Sequence, residues 1–235
     1  MNKRLAAFGL MLMLTANISL ADGFGINATR VILKQGNDST TVTLRNTSAQ
    51  QSYIVQSRMS QTVDGFEQTP FIITPPIFRL DPESTNNLRI RLNGSSSLAQ
   101  DRESVFYLNT RAIPASTQQG PTGNDKSISG TAQFGVGTII KLFYRPKGLT
   151  GSAEDAQEKL SFMASPRGIR VINNAPYYVS FANLTVDGES LLQRNAPAML
   201  APFSEYVYPT SHKRGKVAWS TINDFGGINA HTTTL

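Results

Sequence analysis

The sequence predicts an all-β protein made of two sandwiches in series. Short apolar runs separated by polar turn clusters recur from Arg30 onward, several of them alternate with a period of two, and no long helical period interrupts them. In Thr41-Val42-Thr43-Leu44-Arg45 the alternation turns Val42 and Leu44 toward one face. In Leu88-Arg89-Ile90-Arg91-Leu92 it sends the arginines outward. Turn signals at Gly36-Asn37-Asp38-Ser39, Asp64-Gly65 and Asn93-Gly94-Ser95-Ser96-Ser97 divide the runs. Residues 115–130, rich in Ser, Thr, Gln, Gly and Asn, bury little and are expected to form a long mobile loop. The apolar run 134–144 follows and stops at Arg145-Pro146. Residues 147–151 read as a linker, which makes 22–146 the first domain and 152–235 the second. There, strands are expected around 168–171, 177–184, 206–208 and 217–222.

Ahead of the first domain stand Met1-Asn2-Lys3-Arg4, an apolar stretch from Leu5 to Leu14, and Ser19-Leu20-Ala21. A basic start, a short apolar core and a small-x-small exit predict a secretory signal peptide over residues 1–21, with Asp22 as the mature N-terminus. The apolar core is about half the roughly 20 residues that span a bilayer, so stable membrane insertion is not expected.

Without residues 1–21 the net charge of +6 falls to +4, because Lys3 and Arg4 go and no acid does. Basic and acidic residues interleave, so no stripe that would follow a nucleic-acid backbone is visible. Only His212-Lys213-Arg214-Gly215-Lys216 is locally dense, and it reads as a solvated hairpin tip. The absence of cysteine removes thiol nucleophiles, thiolate metal sites and disulfides together. His212 and His231, the two histidines, sit in polar surroundings without a triad, metalloprotease or phosphate-loop pattern. No enzyme, cofactor or metal is expected.

Two charges are out of place. Lys141 interrupts Thr138-Ile139-Ile140-Lys141-Leu142-Phe143-Tyr144, and Arg30 heads Val31-Ile32-Leu33. A charge in an apolar strand is costly unless it is paired or reaches water. Either each stem lies along the sheet with its head in solvent, or the two cations meet in a cleft and hold an anion. Just before Lys141, Ala132, Phe134, Val136, Thr138 and Ile140 share one face, while Gln133, Gly135 and Gly137 share the other. An exposed edge strand of that kind aggregates unless a partner pairs with it.

These residues resemble the periplasmic pilus chaperones of the bacterial chaperone-usher pathway, the PapD-like family. The resemblance rests on Thr74-Pro75-Pro76, Arg79-Leu80-Asp81-Pro82, the block 100–109, Ala112-Ile113-Pro114 and the block 140–146. The second half adds Asn173-Asn174-Ala175-Pro176-Tyr177-Tyr178-Val179, the block 199–204 and Ile222-Asn223-Asp224-Phe225-Gly226-Gly227. It implies two immunoglobulin-like β-sandwich domains in a boomerang arrangement. It further implies that Arg30 and Lys141 bind the C-terminal carboxylate of a pilus or fimbrial subunit. Ala132, Phe134, Val136 and Thr138 match the donor strand that fills the subunit's open groove, and Glu103, Arg145 and Asp224 match an interdomain charge cluster. The expected partners are such subunits and an outer-membrane usher, in the periplasm. The alternative, a structural pilin or adhesin of the same sandwich build, would typically carry a cysteine pair and an aromatic near the end of its last strand. This chain ends His231-Thr232-Thr233-Thr234-Leu235.

Overall fold

The structure, a computed structural model, describes residues 23–94, 98–115 and 134–235. The expected signal peptide, Ala132 and the loop beyond Ala115 lie outside the described residues. In chain order the first domain comprises β1 (Phe24–Ile26), β2 (Arg30–Lys34), β3 (Ser39–Asn46), β4 (Tyr53–Ser60), β5 (Phe71–Thr74), β6 (Ile77–Leu80), β7 (Ser84–Leu92), β8 (Ser104–Pro114) and β9 (Val136–Arg145). Four strands in the order β1-β3-β7-β5 form one sheet, and five in the order β2-β9-β8-β4-β6 form the other. All pair antiparallel except β2 with β9, which run parallel.

The period-two reading holds at residue level. Val42 pairs with Leu88 across β3 and β7, and both are buried together with Leu44 and Ile90, while Arg89 and Arg91 point to water. From the opposite sheet Val31, Leu33, Val55, Leu108, Ile140 and Leu142 close the same core. The alternation in each strand therefore assigns its outer face as well.

The second domain opens with α1 (Ala153–Glu158), then β10 (Ser161–Ser165), β11 (Gly168–Asn173), β12 (Val179–Val186), β13 (Glu189–Ser190), β14 (Met199–Leu200), β15 (Ser204–Pro209), β16 (Lys216–Ile222) and β17 (Ile228–Thr234). A β10-β11-β15 sheet faces a sheet ordered β13-β12-β16-β17, with β14 alongside β12. Its core gathers Ile169, Val171, Leu184, Val186, Tyr208, Val217 and Trp219.

The elements that were not foreseen include a helix and the last strand. Helix α1 is started by a capping box: the Ser152 hydroxyl accepts from the Asp155 N–H, and the Asp155 carboxylate accepts from the Ser152 N–H. Strand β17 turns Asn229, His231 and Thr233 toward its neighbours, where the His231 ring stacks on Trp219 with centroids 5.4 Å apart. Polar residues on both faces hide that strand from a search for apolar alternation. Removing the cap with Ser152→Ala is expected to lower second-domain stability by about 0.5–2 kcal/mol, read as a lower thermal midpoint.

Candidate functional site: a cationic rung and an open strand edge

Strand β2 begins at Arg30, and its first rung on β9 pairs Arg30 with Lys141. Val31 and Leu142, the next residues on each strand, are buried in the core. Arg30 and Lys141 therefore project together from the outer face, with Ile32 and Phe143 further along it. That face looks at the second domain. The Phe143 and Tyr178 ring centroids lie 5.6 Å apart, and Arg30 Nη1 donates to the Ile222 carbonyl over 2.7 Å.

Neither cation is neutralised at the rung. Arg30 Nε is buried without a hydrogen-bond partner among the described residues. Burial lowers the Arg30 pKa, against the pull of Asp224 and Glu103. Lys141 has no ion-pair partner among the described residues, and burial, then the charge of Arg30, depress its pKa below the ordinary lysine value of 10.5. Two adjacent, partly desolvated cations make a place where an anion gains on both sides.

The nearby carboxylates are committed to Arg145. Its Nε donates to Glu103 Oε1 over 2.6 Å, while Nη1 and Nη2 grip Asp224 over 2.7 and 2.9 Å. The second Glu103 oxygen accepts from the Tyr178 N–H at 2.9 Å, and the Glu103 N–H donates to the Pro176 carbonyl. Burial pushes the Glu103 carboxyl up, and Arg145 and the Tyr178 N–H pull it back. Burial also works against the Arg145 cation, but its carboxylate partners outweigh that and raise its pKa. Glu103 and Arg145 come from the first domain and Asp224 from the turn after β16, so the cluster ties the two domains together.

Below the rung, one edge of β9 has no partner strand among the described residues. Residues 136–140 pair with Leu108–Ala112 of β8 on one side, but β2 covers only 141–145 on the other. Along that open edge Val136 is 49% exposed, and Phe134, just ahead of the strand, is 84% exposed. Ile140, on the same face of the strand, is buried in the first domain's own core. The shared face is divided where β9 runs past the end of the sandwich: Ile140 has a core to enter, Thr138 is half-buried, and Val136 and Phe134 have none.

Family models match nearly all of this architecture: the PapD N-terminal domain of pili and flagellar-assembly chaperones over residues 23–150, and the PapD C-terminal domain of pili-assembly chaperones over 155–233. The chain belongs to the PapD family of pilus-assembly chaperones. The chaperone is 34% identical over 226 residues to the "Probable fimbrial chaperone LpfB" of Escherichia coli O157:H7, covering 96% of this chain and 94% of that one. Among solved structures it resembles the periplasmic chaperone SfaE at 30% identity and TM-score 0.72, covering 90% and 98% of the two chains. It also resembles a chain of the Salmonella enterica SafA pilin in complex with the SafB chaperone, at 27% identity and TM-score 0.75, covering 92% and 98%.

Of the residues singled out in the sequence, the chaperone brings Arg30 to Lys141 and Arg145 to both Glu103 and Asp224. It lines Phe134, Val136 and Thr138 along one edge, while Ala132 lies outside the described residues. Sequence reasoning missed the Ile222 carbonyl and the Tyr178 N–H, because backbone groups leave no mark in side-chain patterns. His212 lies 3.0 Å from Glu189 and 3.8 Å from Asp187, away from the cleft.

Proposed function

We propose that this chain is a periplasmic chaperone that captures fimbrial subunits by lending them a strand, and that it hands them to an outer-membrane usher. The observation that carries this reading is the rung itself. The two unneutralised cations sit where β2 begins, and the apolar edge of β9 opens immediately before it. A segment that puts its terminal carboxylate on Arg30 and Lys141 and pairs with residues 136–140 must run parallel to β9. It lies where β2 would continue if it were longer. Phe134 and Val136 then fill an apolar groove of the subunit, with Ala132 expected to extend the series and Thr138 to close it. Export through residues 1–21 puts the chaperone in the periplasm, where its named relative SfaE also resides.

The test is co-expression in the periplasm, with the partner that co-purifies identified by mass spectrometry. A fimbrial subunit is the expected partner, and its absence from the purified chain would sink the reading. Phe134→Ser should leave the chaperone's melting temperature unchanged and weaken capture, because one knob worth roughly 1.5–3 kcal/mol on full burial is lost.

Capture should also depend on pH in a direction set by Lys141. Its pKa lies below 10.5 in the free chain, so the anchor discharges and capture falls as pH rises through that lowered value. Free-chaperone stability moves the other way, since the unfolded chain binds more protons than the folded one between the two pKa values. Lys141→Arg keeps its charge and should hold subunit where the native chain has released it. Parallel pH curves for the two proteins would refute this assignment.

A further inference from the structure

We infer that the chaperone reads its subunit at a second place, a groove on the outer face of β9 centred on Gly137. This rests on the capture reading above. On the outer face the positions below Lys141 are Ile139 and Gly137, spaced by about 7 Å each. Their cross-strand neighbours on β8 are Asn109 and Arg111. Beyond β8, Arg58 on β4 stacks its guanidinium 4.0 Å from the Phe66 ring and donates to the Gly65 carbonyl. The segment between β4 and β5 thus rises into a wall. Arg58, Val63, Phe66, Arg111, Gly137 and Ile139 enclose a groove of about 340 Å³.

Three features point to an occupant. Phe66 is 77% exposed, Val63 46% and Ile139 45%, so three large apolar groups face the same space, which no other described residue fills. A Cβ on Gly137 would meet nothing within 4 Å, and its backbone is not in the left-handed region. The chain's own fold therefore does not require glycine there, although glycine weakens a strand interior. What the missing side chain preserves is the groove. Arg58 and Arg111 outnumber Asp64 around it, which favours a carboxylate beside an apolar side chain.

The occupant is the captured subunit. Gly137, Thr138 and Ile139 line the groove and also form the open edge, on the face that carries the Arg30 and Lys141 rung. A subunit strand anchored at that rung passes within one strand spacing of the groove, and a neighbouring loop of the same subunit can drop a side chain into it. Recognition there discriminates among subunits without altering the anchor common to all of them.

The experiment places the photo-crosslinker p-benzoylphenylalanine at position 66 or at position 136 and irradiates cells that express the co-purifying subunit and its usher. Crosslinks to the subunit from both positions are expected. Gly137→Val, which suits a strand and finds open space, should keep the melting temperature and reduce capture about tenfold. Subunit crosslinking at 136 with only usher, or nothing, at 66 overturns the groove and leaves strand capture standing. Full capture by Gly137→Val overturns it as well. Failure at both positions removes the capture reading and the groove with it.

Discussion

Lys141→Ala is expected to leave the free chaperone folded, with a melting temperature at or slightly above that of the native chain, and to abolish most subunit capture. The fold loses little because Lys141 has no ion-pair partner among the described residues and is held partly desolvated beside Arg30. Removing a partly buried, unneutralised cation relieves a cost. The capture loss is large for two reasons that compound. A charge-assisted hydrogen bond contributes about 1.5–3 kcal/mol, which is roughly 10- to 150-fold in affinity. The same bond also selects one strand pairing over its neighbours, and a slip by one residue turns every subunit side chain to the other face. Soluble complex and the free chaperone's melting curve should be measured together. Native levels of complex, or a loss traced to unfolding, would rule out the carboxylate anchor.

Arg145→Ala is expected to do the reverse and damage the chaperone itself. The Arg145 side chain is only 13% exposed and that of Glu103 3%, so the pair is in the buried regime. Removing the cation leaves Glu103 without a counterion and frees Asp224, and breaking such a pair costs about 3–5 kcal/mol. The melting temperature should fall by several degrees. The second domain loses its grip on the first, so small-angle scattering should report a broader distribution of interdomain angles. The Ile222 carbonyl that steadies Arg30 sits two residues before Asp224, so capture should fall in parallel. An unchanged melt with an unchanged angle would show that the domains are held by other contacts, such as Phe143 against Tyr178.

The sequence was most legible where a strand has one wet face. Val42, Leu44, Leu88 and Ile90 declare their burial by alternation, and the arginines between them declare the other face. Arg30 and Lys141 were legible for the opposite reason: a charge inside an apolar run breaks the pattern. Spacing alone could not join them, since their pairing depends on the parallel contact of β2 with β9. Glu103, Arg145 and Asp224 were less legible still. Separations of 42 and 79 residues carry no periodic signal, and only resemblance to a known family united them. Ile140 shares the face of Val136 as the alternation predicts, but periodicity reports the face of a strand and not where the sandwich beneath it ends, so it does not say which of the two is buried. Strand β17 stayed hidden because its inward residues meet a polar patch: Asn229 donates to the buried Gln157 Oε1, which also accepts from Thr221.

Both cations stand on the first rung of β2, and an anchor in that place would make the cleft a ruler. With a terminal carboxylate held there as proposed, length along the bound segment would be counted from a fixed zero at its free end, and the chaperone would measure how many residues lie between that terminus and each apolar side chain of the subunit. Parity decides the match: a tail lengthened by one residue presents the wrong half of its side chains, and one lengthened by two regains the parity but offers each knob the neighbouring socket. The features expected to mark a segment as cargo are therefore its tally from the last residue and the presence of a bare terminus. A subunit whose end has been extended or amidated should pass the chaperone unnoticed, however well its groove is shaped.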